Sequence, residues 1–166
     1  MIHEVQINKM QRKDWDSVSK IYKEGIETGL ATFEKEIPSW GKWDKNHLKS
    51  CRLIATLNHK IIGWAALSAV SSRCVYGGVA EVSVYVAKKE WGNKVGKRLM
   101  LALINESEKE GLWTLQSGVF SNNLSSIELH KNVGFRVIGL REKIGQLDGE
   151  WKDNVLMERR SKIIGV

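Results

Sequence analysis

The sequence predicts one mixed α/β (α+β) domain over residues 1–166, with a mostly antiparallel central sheet flanked by helices. Three observations carry this. Val79 to Val86 alternates between apolar and polar residues and runs through a glycine-bearing segment into a helical pattern. Two strand-like runs meet across Asn58-His59 and two more across Asp148-Gly149, both hairpin signals. The chain has 166 residues, 42% hydrophobic and 27% charged, the profile of one globular domain rather than a disordered, collagen-like or disulfide-stapled chain. A chain of this size buries about 70% of its unfolded surface, so its core needs no staple.

Taken in order, Val5 and Ile7 alternate within residues 4–9, a first strand. Trp15, Val18, Ile21, Tyr22 and Ile26 fall at helical spacing behind Asp14 as N-cap. Residues 28–39 read as loop, and Pro38-Ser39 opens a short helix through His47 and Leu48. Arg52 to Leu57 and Lys60 to Ser68 form the first hairpin. In Val79–Val86, Ala80, Val82, Val84 and Val86 face one way; Val79, Glu81, Ser83 and Tyr85 face the other. The next helix, about Lys94 to Glu110, carries Val95, Leu99, Ala102 and Leu103 on one stripe and stops at Gly111. Thr114 to Phe120 is a strand, Asn123 to Asn132 a short helix ending at Gly134, and Phe135–Leu147 with Glu150–Met157 the last hairpin.

Lys and Arg total 26 against 19 Asp and Glu, a formal charge of +7. That excess suits an anionic partner: nucleic acid, a membrane surface or an acidic cofactor. The basic residues are spread along the chain and match no nucleic-acid motif, so a basic nucleic-acid-binding domain stays only as an alternative and no nucleic-acid partner is expected. The longest apolar stretch, Ile61 to Val70, is shorter than the roughly 20 residues a membrane span needs. Met1 to Gln6 shows no apolar signal core, and two cysteines, Cys51 and Cys74, make no framework. A cytoplasmic protein with reduced thiols is expected. His3, His47, His59 and His130 are scattered, so no metal is expected.

Residues 91–98 read Trp91-Gly92-Asn93-Lys94-Val95-Gly96-Lys97-Arg98, between a strand and a helix start. Free amides and the positive end of the helix dipole make such a junction an anion site, or a solvated basic turn. A Walker loop needs four residues between its first Gly and Gly-Lys, then Ser or Thr; here there are three, then Arg98. Gly-x-Gly-x-x-Gly is absent, which disfavours a dehydrogenase.

The order of strand, glycine loop, helix and strand, followed by Asn123-Leu-Ser-Ser-Ile-Glu-Leu-His130-Lys-Asn-Val-Gly134-Phe135, resembles the GNAT acetyltransferase superfamily. More narrowly it is similar to the phosphinothricin/methionine sulfoximine N-acetyltransferase branch, through Ile21-Tyr22-Lys-Glu-Gly25-Ile26, Ala31-Thr32-Phe33-Glu34, Gly63-Trp64-Ala65, Val79–Val86 and Gly149-Glu-Trp151-Lys-Asp153. The superfamily loop is usually Gln/Arg-x-x-Gly-x-Gly/Ala. Here Trp91 and Lys94 take the first two of those places, and a loop reshaped at Lys94, which lacks glycine's freedom at positive φ, is expected.

The resemblance implies acetyl-CoA as cosubstrate and transfer to the α-amine of a small amino-acid-like molecule by direct attack in a ternary complex. A protein or peptide N-acetyltransferase is the alternative on the same fold. It implies Glu81 as base for the acceptor amine, against an ion pair with Arg73. It implies His130 as acid for the leaving thiolate, against a surface histidine near a helix C-terminus. The backbone of Val84, Tyr85 and Val86 is expected to hold the pantetheine arm. Gly92, Asn93, Lys94, Val95, Gly96 and Lys97 are expected at the pyrophosphate, and Asn123 near the cofactor or as a helix cap. Phe33 and Arg73 are expected, with Glu81, at the acceptor, and a homodimer is expected from the family.

Overall fold

Left-handed backbone at two short turns sets the sheet. Asn58 (φ 50°) and His59 (φ 63°) close the first hairpin; Asp148 (φ 50°) and Gly149 (φ 80°) close the last. Such pairs twist in the sense the flanking strands need. The computed structural model describes residues 4–166. Met1 to His3, part of the N-terminus read above, lie outside the described residues.

The elements are β1 (Gln6–Lys9), α1 (Trp15–Glu27), α2 (Trp40–Asn46), β2 (Leu53–Leu57), β3 (Lys60–Ala69), β4 (Val79–Val86), α3 (Val95–Lys109), β5 (Thr114–Phe120), α4 (Leu124–Lys131), β6 (Arg136–Leu147) and β7 (Glu150–Arg160). One seven-stranded sheet runs in the order β1-β2-β3-β4-β5-β7-β6. Every neighbouring pair is antiparallel except β4 and β5. This is the mixed, mostly antiparallel architecture the sequence predicts.

The alternation of β4 explains the two layers. Ala80 and Val82 join Leu115, Val119 and Met157 under α3, whose Leu99, Met100 and Leu103 are fully buried. Tyr85 faces the other way, into a second cluster with Tyr22 of α1, Trp43 of α2 and Trp64 of β3. Two glycines permit close approach. A Cβ on Gly63 would lie 2.9 Å from Leu99 Cδ1, and one on Gly25 only 2.5 Å from Tyr85 Cδ1. Trp113 fills the notch left by Gly78, where a Cβ would sit 2.0 Å from its ring. The guanidinium of Arg160 grips the carbonyls of Trp113, Ser161, Ile164 and Gly165.

Several boundaries differ from expectation. The first strand covers only Gln6–Lys9, the part that pairs with β2. Asp14 does not cap α1; its carboxylate accepts from the Gln11 amide at 2.7 Å, closing a 3₁₀ turn before the helix. Ser39 does cap α2, its hydroxyl accepting from the Lys42 amide. β7 runs past Met157 to Arg160, because Thr114 of β5 pairs there. Among the described residues no helix is long and apolar enough to cross a membrane. Both cysteines are free, Cys51 buried and Cys74 exposed.

Candidate active site

The parallel contact between β4 and β5 is short: Val79–Thr114, Ala80–Leu115 and Glu81–Gln116. Beyond Glu81, β4 runs on to Val86 and β5 to Phe120 with no ladder between them. The far edge of β4 stays paired to β3 through Val86. The near edge therefore offers main-chain groups of alternate residues, Val82, Val84 and Val86, to an extended guest, with the Val86 carbonyl already engaged by Trp91. Buried backbone groups are almost always paired, so such an edge is a docking strip.

Glu81 stands at the vertex of this opening. Residues opposite one another across a sheet share a face, and the register runs Ser68, Glu81, Gln116, Glu158, Arg136 across five strands. Gln116 Nε2 donates to Glu81 Oε2 at 3.1 Å, and Arg136 pairs with Glu158. The expected alternative, a Glu81–Arg73 ion pair, does not form: the Arg73 guanidinium lies over the Tyr76 ring, 5.5 Å from its centroid. Glu81 is exposed, with an oxygen left to meet a ligand. Its amide partner Gln116 was missed in the sequence, where the alternation of Thr114–Phe120 assigns its face but not the strand opposite.

At the far end of β4, Trp91 Nε1 donates to the Val86 carbonyl at 2.9 Å. Gly92 (φ 80°) then turns the chain, and Lys94 opens α3 in the left-handed region at φ 60°, ψ 15°. Lys94 itself thus takes the positive φ that glycine adopts freely, at a cost of roughly 1–2 kcal/mol. No side chain caps this end of α3. Its first-turn amides stay free beside the exposed Lys94 and Lys97, the arrangement that suits a phosphate. Val95 is buried under the sheet and anchors the turn. Gly96 lets the helix start approach α4, since a Cβ there would lie 3.2 Å from Leu129.

Asn123 is a helix cap. Its Oδ1 accepts from the Ser126 amide, and its Nδ2 donates to the Leu30 carbonyl at 3.2 Å, tying the loop after α1 to α4. That loop places Phe33 edge-on to Phe120 at 4.7 Å and over Gly145 of β6. Tyr22, Tyr85 and Trp64 form a contiguous aromatic stack at 4.9–5.5 Å. Burial, followed by the neighbouring Tyr22, pushes the Tyr85 phenol far above its ordinary value; burial, then Glu34, raises Tyr22. Both are neutral hydrogen-bonding groups.

His130 is not on the helix surface. It is 2% exposed and meets Phe135 edge-on. Burial holds its pKa below the ordinary value, against the lesser effect of the Ser126 carbonyl. That carbonyl, 2.6 Å from Nδ1, can only accept, so Nδ1 carries the proton. Nε2 is then a bare lone pair, sealed and without a partner. In this state His130 receives a proton rather than delivering one.

Two open surface depressions, of about 290 Å³ beside Cys51 and about 460 Å³ between Trp15 and Trp40, are lined by no residue of β4 or β5.

A split strand pair beside an uncapped helix start defines a protein that can take an extended chain along the open strand and a phosphate at the helix. Comparison with known proteins narrows this. Residues 7–156 match the family model described as acetyltransferase (GNAT) domain. The chain is 31% identical over 156 residues to phosphinothricin N-acetyltransferase of Alcaligenes faecalis, covering 88% of this chain and 77% of that protein. It is 35% identical over 83 residues to the L-methionine sulfoximine/L-methionine sulfone acetyltransferase of Pseudomonas aeruginosa, about half of each chain (50% and 48%). Among solved structures, ribosomal-protein-alanine N-acetyltransferase from Brucella melitensis superposes with TM-score 0.88 at 25% identity, over 94% of this chain and 99% of that one. A GNAT superfamily phosphinothricin acetyltransferase from Sinorhizobium meliloti in complex with AcCoA gives 0.85 at 25% identity, over 97% and 95%. The chain belongs to the GNAT acetyltransferase family. It is an acyltransferase of the N-acetyltransferase type.

Proposed function

We propose that this protein uses acetyl-CoA to acetylate the α-amine of a small amino-acid-like acceptor, of the phosphinothricin, methionine sulfoximine or methionine sulfone kind. The observation that carries this reading is the three-pair contact between β4 and β5, with a carboxylate at its vertex and an uncapped helix beyond its open end.

Each chemical requirement has a matching group. An acceptor ammonium has a pKa near 10 and no lone pair, so it must lose a proton before attack. Glu81, held by Gln116, takes that proton directly or through water. The segment Val84–Tyr85–Val86 of β4 aligns the pantetheine arm through the free edge of Val84 and Val86, and one of those amides meets the oxygen on which charge develops. The amides from Gly92 to Lys97, with the Lys94 and Lys97 ammonium groups, hold the pyrophosphate. Phe33 and Arg73 frame the acceptor. His130 is left out of the proton path, since its bare Nε2 has no proton to give. Direct transfer fits Cys51, whose thiol burial raises above its ordinary pKa, suppressing the thiolate a covalent route through it would need.

The test is Glu81→Gln. Turnover falls about 10²–10⁴-fold, the usual weight of general base catalysis, while calorimetry shows acetyl-CoA bound as in the parent. Unchanged turnover removes Glu81 from the chemistry. The similarity to the Brucella ribosomal-protein-alanine enzyme favours one further reading, a peptide acceptor. CoA release with amino-acid acceptors against short peptides separates the two. We also propose a homodimer, which rests on the family resemblance alone, in the cytoplasm, which rests on the two unpaired cysteines.

A further inference from the structure

The sheet face that carries Glu81 holds a second polar group that no interaction within the protein explains. Asn154 of β7 pairs across from Phe120 of β5, so it shares a face with Gln116, Gly118 and Phe120. Its Oδ1 is buried and has no hydrogen-bond partner. The amide lies on Gly118: a Cβ there would be 2.8 Å from Nδ2 and 3.0 Å from Oδ1. Gly118 is exposed and Asn154 half-buried, so the sheet face beside that amide meets solvent. A buried carbonyl left unpaired costs about 1–3 kcal/mol, and β7 could carry a valine here without that cost.

The position fits the proposed acceptor. Gly118 follows Gln116 by two residues, about 7 Å along the strand. An amine at the Glu81–Gln116 row therefore places the tail of an amino-acid side chain over Gly118. Phe33 and Phe120 wall the end of that path. The asparagine amide turns about a broad torsion, so Oδ1 can swing to the open side. An amide oxygen only accepts, so its complement is an N–H or O–H.

We infer that Asn154 is a specificity-determining residue that accepts a hydrogen bond from a donor on the acceptor's tail, a sulfoximine N–H for example. This rests on the amino-acid acceptor proposed above. A sulfone differs from a sulfoximine by having no such donor. Turned the other way the amide can donate to a sulfone oxygen, but Oδ1 then stays buried and unpaired.

The experiment compares methionine sulfoximine with methionine sulfone as acceptors, scored by CoA release. The wild-type protein should favour the sulfoximine about tenfold in kcat/KM, the weight of one such hydrogen bond. Asn154→Val should bring the two acceptors within about twofold, through the sulfoximine KM, with the acetyl-CoA KM unmoved and thermal stability raised. Asn154→Asp, which keeps an accepting oxygen, should retain the preference. A ratio unmoved by Asn154→Val, or a variant that melts lower, overturns the assignment while leaving the function intact. Wild-type protein that releases CoA with neither compound overturns the amino-acid acceptor itself, and this inference with it.

Discussion

Replacing Gly25 with alanine reverses a familiar rule. In a helix interior alanine is favoured over glycine by about 1 kcal/mol, so the substitution would ordinarily stabilise α1. Here the new methyl carbon would lie 2.5 and 2.6 Å from Cδ1 and Cε1 of Tyr85. The ring cannot withdraw, because Trp64 stacks on it at 4.9 Å and Tyr22 meets its edge at 4.9 Å. Overpacking of this kind costs about 1–3 kcal/mol, which leaves a net loss of up to about 2 kcal/mol. At about 2–4 °C per kcal/mol for a chain of this size, Tm falls by up to about 8 °C. Tyr85 also lies between Val84 and Val86 of the β4 edge, so the acetyl-CoA KM rises. Gly41→Ala is the control. It lies in the first turn of α2 with nothing within 4 Å of its would-be Cβ, and there Tm should rise by up to about 4 °C. Thermal unfolding followed by circular dichroism reads both. Shifts of the same sign would refute the packing argument.

Two further outcomes follow from the same structure. His47 and His130 are both held below the ordinary histidine pKa, first by burial. The unfolded chain therefore binds protons that the folded one refuses below about pH 6.5, and each site loses up to about 1.4 kcal/mol per pH unit as pH falls. Tm should drop between pH 7.5 and pH 5.5, and a flat profile would contradict the burial of both rings. Lys94→Gly releases the left-handed strain and should stabilise the fold by up to about 1 kcal/mol, while acetyl-CoA binding weakens and loses part of its salt dependence. Calorimetry at two ionic strengths checks this, and unchanged binding would remove Lys94 from the phosphate site.

Periodicity carried much of the fold. β4 and β5 occupy the predicted ranges, and the turns at Asn58-His59 and Asp148-Gly149 lie where those dipeptides require positive φ. What failed was capping at Asp14, where the side chain serves a preceding turn that leaves no signature in spacing. In the site, the face of Glu81 was legible because a strand alternates with period two. Gln116 and Asn154 were not, because their importance arises from the residues opposite them, and cross-strand register is a property of assembled strands. The burial of His130, which rules out the surface alternative, was not legible for a similar reason: it comes from the packing of Phe135 against α4.

The junction of β4 and β5 leaves the sheet as two wings joined by three rungs, with the Trp113 ring wedged into Gly78 behind them. Arg160 ties the carbonyl of Trp113 to those of Ile164 and Gly165. Residues 161–165 thus pin Trp113, and with it the start of β5 that supplies the first of the three rungs, so the closed end of the split is held from beyond the last strand.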